Sequence, residues 1–202
     1  MVPISDVQIL QDYLALPPEQ KHGLVLQNAD LRGVELRKVD ISNCDFTGSD
    51  FTGAYLRGVN AQHTVFDQCT FAGAELRLVD FSYCNLPGFD FRTVKIDTCT
   101  FEFANLEGAD FSDCYMLHST MDNARLQGAI FRGALVVHVY LKNADLRHAD
   151  FTDADMSGST LGGAILTGAL FSNAKNCFMT QMKINHAFAH PEGEEVIYRE
   201  YY

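Results

Sequence analysis

Residues 29–58 read ADLRG VELRK VDISN CDFTG SDFTG AYLRG, six units of five residues in one phase. The middle residues are Leu31, Leu36, Ile41, Phe46, Phe51 and Leu56, all large and apolar. Each unit begins on a small residue, and four of the six end on Gly. A period of five suits neither the 3.6-residue helix nor the two-residue strand. It suits a chain that turns a corner every fifth residue. A type II turn needs φ > 0 at its second central residue, which Gly or Asn supplies.

Worked outward, the phase holds from residue 24 to 173, thirty units without an insertion. The thirty centres are eleven Phe, twelve Leu, three Met, two Ile, one Val and Ala61. Two residues before each centre, all but Leu24 and Phe89 are Ala, Val, Cys, Ser or Thr. Small inward residues beside large ones let successive layers interdigitate at crystal-like density. Two residues after each centre stand twelve of the fifteen Gly and five Asn.

Segments such as Ala29-Asp30-Leu31-Arg32-Gly33, Ala109-Asp110-Phe111-Ser112-Asp113 and Ala144-Asp145-Leu146-Arg147-His148 resemble the pentapeptide-repeat family, consensus A(D/N)LXX. The resemblance covers about three quarters of the chain. It implies an all-β solenoid, a right-handed quadrilateral parallel β-helix with four units per square coil. Thirty units then give about 7.5 coils, a rod roughly 36 Å long at about 4.8 Å per stacked strand. The chain divides into a capping helix and linker (1–23), the β-helix (24–173) and a C-terminal cap with a tail (174–202).

Both ends of a solenoid expose unpaired backbone and need covers. At the N-terminus, Ser5 and Gln8 have the spacing of a capping box. Val7, Ile9, Leu10, Tyr13 and Leu14 form an apolar stripe, and Pro17-Pro18 ends the helix. Beyond Asn176 the phase breaks, and residues 176–189 read as a second, partly helical cap. The tail VIYREYY either folds back on the last coil or packs on a second copy, making a homodimer.

The net charge of −11 argues against direct nucleic-acid binding, which wants a basic footprint. No apolar run reaches the roughly 20 residues of a membrane span, and MVPISDVQIL is a poor signal peptide. Five of the six Cys (Cys44, Cys69, Cys84, Cys99, Cys114) take the small inward position, where packing explains them. Unpaired buried thiols fit a reducing, cytoplasmic setting.

No phosphate loop, nucleophile elbow or H-E-x-x-H is present, and a filled rod offers no concave pocket. The expectation is a protein that is not an enzyme, with no catalytic residues, cofactor or metal. His118 and His138, twenty residues apart, stack on adjacent coils with no matching carboxylate, which reads as part of a binding face.

Function then falls to the faces. Stacking by twenty puts Arg37, Arg57 and Arg77 in one ladder, with Glu35 and Glu75 beside it. Above the ladder stand Tyr115, Leu117, Leu135 and Val137. At the next corner His63, Tyr83 and Phe103 stack, and Tyr140 lies on the same side. From His63 to His118 only three of twelve turn positions are Gly or Asn, against fourteen of eighteen elsewhere. Either selection acts on something outside the fold, or these corners use another turn type. The candidate protein-binding face is therefore His63, Leu78, Tyr83, Phe103, Tyr115, Leu117, His118, Leu135, Val137 and Tyr140. A second candidate is the acidic line Asp30, Asp50, Asp90, Asp110 and Asp150, interrupted by Arg32, Arg92 and Arg132.

Two functions follow, beside a purely structural role. One is a non-catalytic interaction rod docking a protein partner. The other is implied by the family resemblance: an acidic rod that mimics DNA and binds a type II topoisomerase such as gyrase, protecting it from quinolones or toxins. Residues 24–173 hold 19 acidic and 11 basic residues, a net of −8. Duplex DNA of that length carries roughly 21 charges.

Overall fold

Every twentieth residue becomes a neighbour, because four corners bring the chain back over itself. In the computed structural model, which describes residues 4–176, one side of the coil carries six short parallel strands. These are β1 (Glu35–Arg37), β2 (Tyr55–Arg57), β3 (Glu75–Arg77), β4 (Lys95–Asp97), β5 (Tyr115–Leu117) and β6 (Leu135–Val137), stacked in sequence order. Their register is i to i+20, as in Glu35↔Tyr55 and Arg37↔Arg57.

The other three sides keep this register through single bridges such as Val25↔Asp45, Asp30↔Asp50 and Asp40↔Asn60. We call the sides first (Val25 to Ile165), second (Asp30 to Leu170), third (the strands) and fourth (Asp40 to Thr160). The chain is an all-β parallel solenoid. Its regular sheet spans five steps of the third side, fewer than the coil count expected from the repeats. Single bridges carry the register on to Asp155↔Lys175. Each side offers about three extended residues between corners, so most sides reach only a bridge.

The centres fill the interior: all of them from Leu26 to Leu166 are buried. Under the second side the phenylalanines form a column. Phe91–Phe111, Phe111–Phe131 and Phe131–Phe151 stack at 4.5, 4.8 and 4.6 Å, within 3° of parallel. The small polar inward residues have a separate task. Ser49, Thr64 and Ser159 hydroxyls, and the Cys69 and Cys84 thiols, each donate to the carbonyl 23 residues earlier. A buried hydroxyl would be costly without such a partner.

The ladder is interrupted once. The second side has bridges Asp50↔Thr70 and Asp90↔Asp110, but none joins Thr70 to Asp90 among the described residues. Phe51 N–H donates to Thr70 O at 2.8 Å and Asp110 N–H to Phe89 O at 2.9 Å, while Phe71 N–H and Asp90 N–H make no equivalent bond. Phe89, one of the two residues that break the small-inward rule, is inserted here. Its ring lies tilted against both Phe71 (5.7 Å) and Phe91 (4.7 Å). Nearby, the Thr93 hydroxyl accepts the Gly73 N–H at 3.0 Å.

Helix α1 (Asp6–Leu14) covers the first coil. Leu10 is fully buried in the core, and Val7, Tyr13 and Leu14 pack beside it. Ile9, expected on the same stripe, is exposed instead, since it points off that face. Only half of the capping box forms. Ser5 Oγ accepts the Gln8 N–H at 3.2 Å, but the Gln8 side chain turns to Asp12. A contact the sequence did not suggest completes the cap. Asp6 Oδ2 accepts the Asp30 N–H at 2.8 Å, standing in for the coil that would otherwise lie beneath.

Candidate functional site

The corners decide where function can sit. Twenty-nine of the thirty turn positions have φ between +48° and +73°; Thr93 alone does not. The corners at Tyr83 and Phe103 therefore share the turn of the Gly corners, closed by Cys84 N–H to Phe81 O and Ala104 N–H to Phe101 O. The corners that follow the strands, Leu78, Thr98 and His118 among them, keep the left-handed φ but lack that closing bond and are a different turn. Leu78, Tyr83, Thr98 and Phe103 adopt φ of 55°, 63°, 54° and 57°, the conformation Gly would take without strain. For side chains with a Cβ this region costs about 1–2 kcal/mol per residue.

At the corner between the fourth and first sides, three rings stack outside the rod. His63 and Tyr83 lie 4.8 Å apart, Tyr83 and Phe103 5.1 Å, all within 10° of parallel. Half of Tyr83 and half of Phe103 face solvent, as does half of Leu78 at the preceding corner. His118 and His138 stack at 5.3 Å above Leu78. The expectation that this pair lacks a carboxylate is corrected: His118 Nδ1 lies 3.8 Å from Asp97 Oδ1. The offset is diagonal, 21 residues, so reading columns by twenty missed it.

Tyr115 pairs with Leu135 and Leu117 with Val137 across β5 and β6. Tyr115, Leu135 and Tyr140 are exposed, Leu117 and Val137 half-buried. Below them the arginine ladder is partly neutralised. Arg37 bonds Glu35 at 3.1 Å and lies over the Tyr55 ring at 4.6 Å, and Arg77 meets Asp97 at 3.2 Å. Arg57 has no salt-bridge partner among the described residues.

The acidic line on the second side is more fully neutralised than its composition suggests. Arg32 sits between Asp30 (2.6 Å) and Asp50 (3.9 Å), and Arg92 between Asp90 (2.7 Å) and Asp110 (3.7 Å). Arg132 meets Asp150. All five carboxylates thus have an arginine. The Arg32 bond holds the Asp30 carboxyl down at about 2, and the Arg92 bond lowers Asp90 likewise.

A different acidic surface escaped the column-by-column reading. The fourth side carries Asp40, Asp80, Glu102 and Asp122, and none has a salt-bridge partner among the described residues. Two stand before a centre and two after one, so no single column shows them; charge summed per side would have. Their oxygens take neutral donors: the N–H groups of Ser42, Ser82 and Lys142, and the Gln62 amide.

The core thiols are chemically quiet. Burial pushes Cys84, Cys99 and Cys114 up to about 12 and Cys69 to about 11, so thiolate is scarce. Among the described residues no group of three His, Cys, Asp or Glu could hold a metal ion. No helix there is long and apolar enough to cross a membrane. The expectation of no concavity needs one correction. A cleft of about 340 Å³, lined by Tyr13, Lys21, His22 and Asp40 among others, opens between the N-terminal cap and the first coil. The C-terminal cap from residue 177 and the VIYREYY tail lie outside the described residues.

Sequence profiles agree with the repeat. A pentapeptide repeat region matches residues 94–171, and pentapeptide repeats match 22–53, 54–92 and 74–113. No curated protein matches the chain in sequence. Among solved structures, a trypsin-treated form of QnrB1, a plasmid-mediated fluoroquinolone resistance protein, is 18% identical with a TM-score of 0.58. The match covers 82% of this chain and 87% of that one. HetL, involved in heterocyst differentiation regulation in the cyanobacterium Nostoc, is 21% identical with a TM-score of 0.27, covering 86% and 95%.

Proposed function

This chain belongs to the pentapeptide-repeat family, and from that premise we propose that it is a non-catalytic interaction rod that docks a protein partner. The docking surface is the corner stack His63, Tyr83 and Phe103, with Leu78 and the exposed side chains of β5, β6 and Tyr140 around it. One observation carries this reading: bulky apolar side chains stand half-exposed at corners whose backbone favours Gly. The left-handed backbone disfavours them there, and exposed aromatics are what interfaces use as anchors. The five free inward thiols support a reducing, cytoplasmic setting.

A second reading has specific support. The net charge of −11 and the fold shared with QnrB1 favour a DNA-mimicking rod directed at a type II topoisomerase. The arginine pairing on the second side weighs against that side as the mimic. A pull-down from the native host separates the two. A partner retained by wild type and lost with Tyr83→Ala plus Phe103→Ala is the expected result. Loss through Asp90→Asn plus Asp110→Asn alone, toward gyrase and steeper at low salt, would replace it with the topoisomerase reading. Retention by both variants would remove the docking surface.

A further inference from the structure

The fourth side and the ring stack meet at one edge, and their chemistries are complementary to a single kind of group. Glu102 directly precedes Phe103, and Asp122 holds the equivalent place one coil higher. The two backbones are tied at this edge: Tyr83 N–H donates to Glu102 O at 3.0 Å and Phe103 N–H to Asp122 O at 3.2 Å. Carboxylates without cationic partners thus stand beside half-exposed rings, about one strand spacing (~4.8 Å) apart along the rod. On the second side, by contrast, three arginines of the same face lie within 3.9 Å of the five acidic residues of the line, two of them shared between neighbouring coils.

We propose that this edge binds an arginine-bearing segment of a protein partner, with guanidinium groups against Tyr83 and Phe103 and forked onto Glu102 and Asp122. The inference rests on the docking reading above and names the partner's chemistry. Guanidinium is planar, weakly hydrated and bidentate, so it can stack on a ring and pair with a carboxylate at once. A lysine ammonium is a compact, strongly hydrated point charge and gains less from the rings. A nucleic acid could stack on the rings but would meet four carboxylates. Lys142, above Asp122 on the same side, sets the upper limit of the acidic stretch, and Asp80 extends it downward.

The test uses the full chain and labelled peptides (Gly-Ser-Arg)3, (Gly-Ser-Lys)3 and (Gly-Ser-Glu)3, read by fluorescence anisotropy. The arginine peptide should bind best and the glutamate peptide not at all. Two variants, Tyr83→Ser plus Phe103→Ser and Glu102→Gln plus Asp122→Asn, should each weaken arginine-peptide binding about fivefold or more. Asp90→Asn plus Asp110→Asn should leave it within about twofold, because Arg92 already lies between those two carboxylates and no exposed ring stands beside them. Unchanged far-ultraviolet circular dichroism and melting confirm that each variant is folded. Equal weakening by the second-side pair would mean diffuse attraction to an acidic rod and would overturn the proposal. So would a lysine peptide that binds as tightly as the arginine peptide and ignores the ring variant. A natural partner that needs Tyr83 and Phe103 but is indifferent to Glu102 and Asp122 would leave the docking surface standing and remove the arginine assignment alone.

Discussion

Two aromatic columns run along this rod, one inside and one outside, with nearly the same geometry. Inside, Phe111 and Phe131 stack at 4.8 Å; outside, His63 and Tyr83 do so at the same distance. The coil repeat sets the spacing in both, so stacking by itself carries no message about stability. What differs is the environment of each ring. The inner rings are buried with inward Ala and Val packed beside them, and burying a Phe side chain is worth about 1.5–3 kcal/mol. The outer rings keep half their surface in water and sit on a left-handed backbone. One column holds the fold together, and the other is carried by it.

The comparison can be broken most directly by truncation. Phe111→Ala should cost about 3–5 kcal/mol, because the rigid stack above and below cannot collapse into the cavity. Chemical denaturation measures it. Tyr83→Gly should leave stability within about 1 kcal/mol of wild type. Relief of the left-handed backbone opposes the loss of ring contacts with His63 and Phe103. If the two variants melt alike, the outer column is structural and the docking reading loses its basis.

The smallest effect concerns the second side. Asp30 has its carboxyl held at about 2 by Arg32, below the unfolded value of about 3.9. A lowered carboxyl adds stability above the unfolded value and loses it as pH falls through the folded one. Wild type and Asp30→Asn should therefore differ slightly at neutral pH, by less than the Tyr83→Gly change, and converge near pH 2. A nuclear magnetic resonance titration of the side-chain carboxyl reads the same event. A midpoint in the ordinary carboxylate range would dissolve the arginine pairing that separates this side from the fourth.

The fold was legible because its signal is repeated thirty times: inward size, turn conformation and register all share one period. The candidate face was legible only as a list of columns. Phe89 could be seen as an exception to the small-residue rule, but size alone does not say which backbone bonds a misfit opens. The Asp97–His118 contact crosses columns. The contacts of Arg32 and Arg92 depend on rotamers that bridge two coils. The Asp6 cap on Asp30 joins residues outside the repeat to residues inside it, where periodicity has nothing to say.

Treated as a beam, the rod is laced along four sides, and at one storey the lacing on one side is missing. Between Thr70 and Asp90 the second side is joined by ring contacts and the single Gly73 to Thr93 side-chain bond in place of its ladder, while the third side at that level keeps its strand pairing. Side-chain contacts yield more softly than a hydrogen-bonded ladder. Flexural stiffness is therefore lowest in the plane that joins the second side to the fourth, at the height of Tyr83. Phe89 thus gives the beam a preferred direction of bending, opening on the second side and curving around whatever lies against its fourth side.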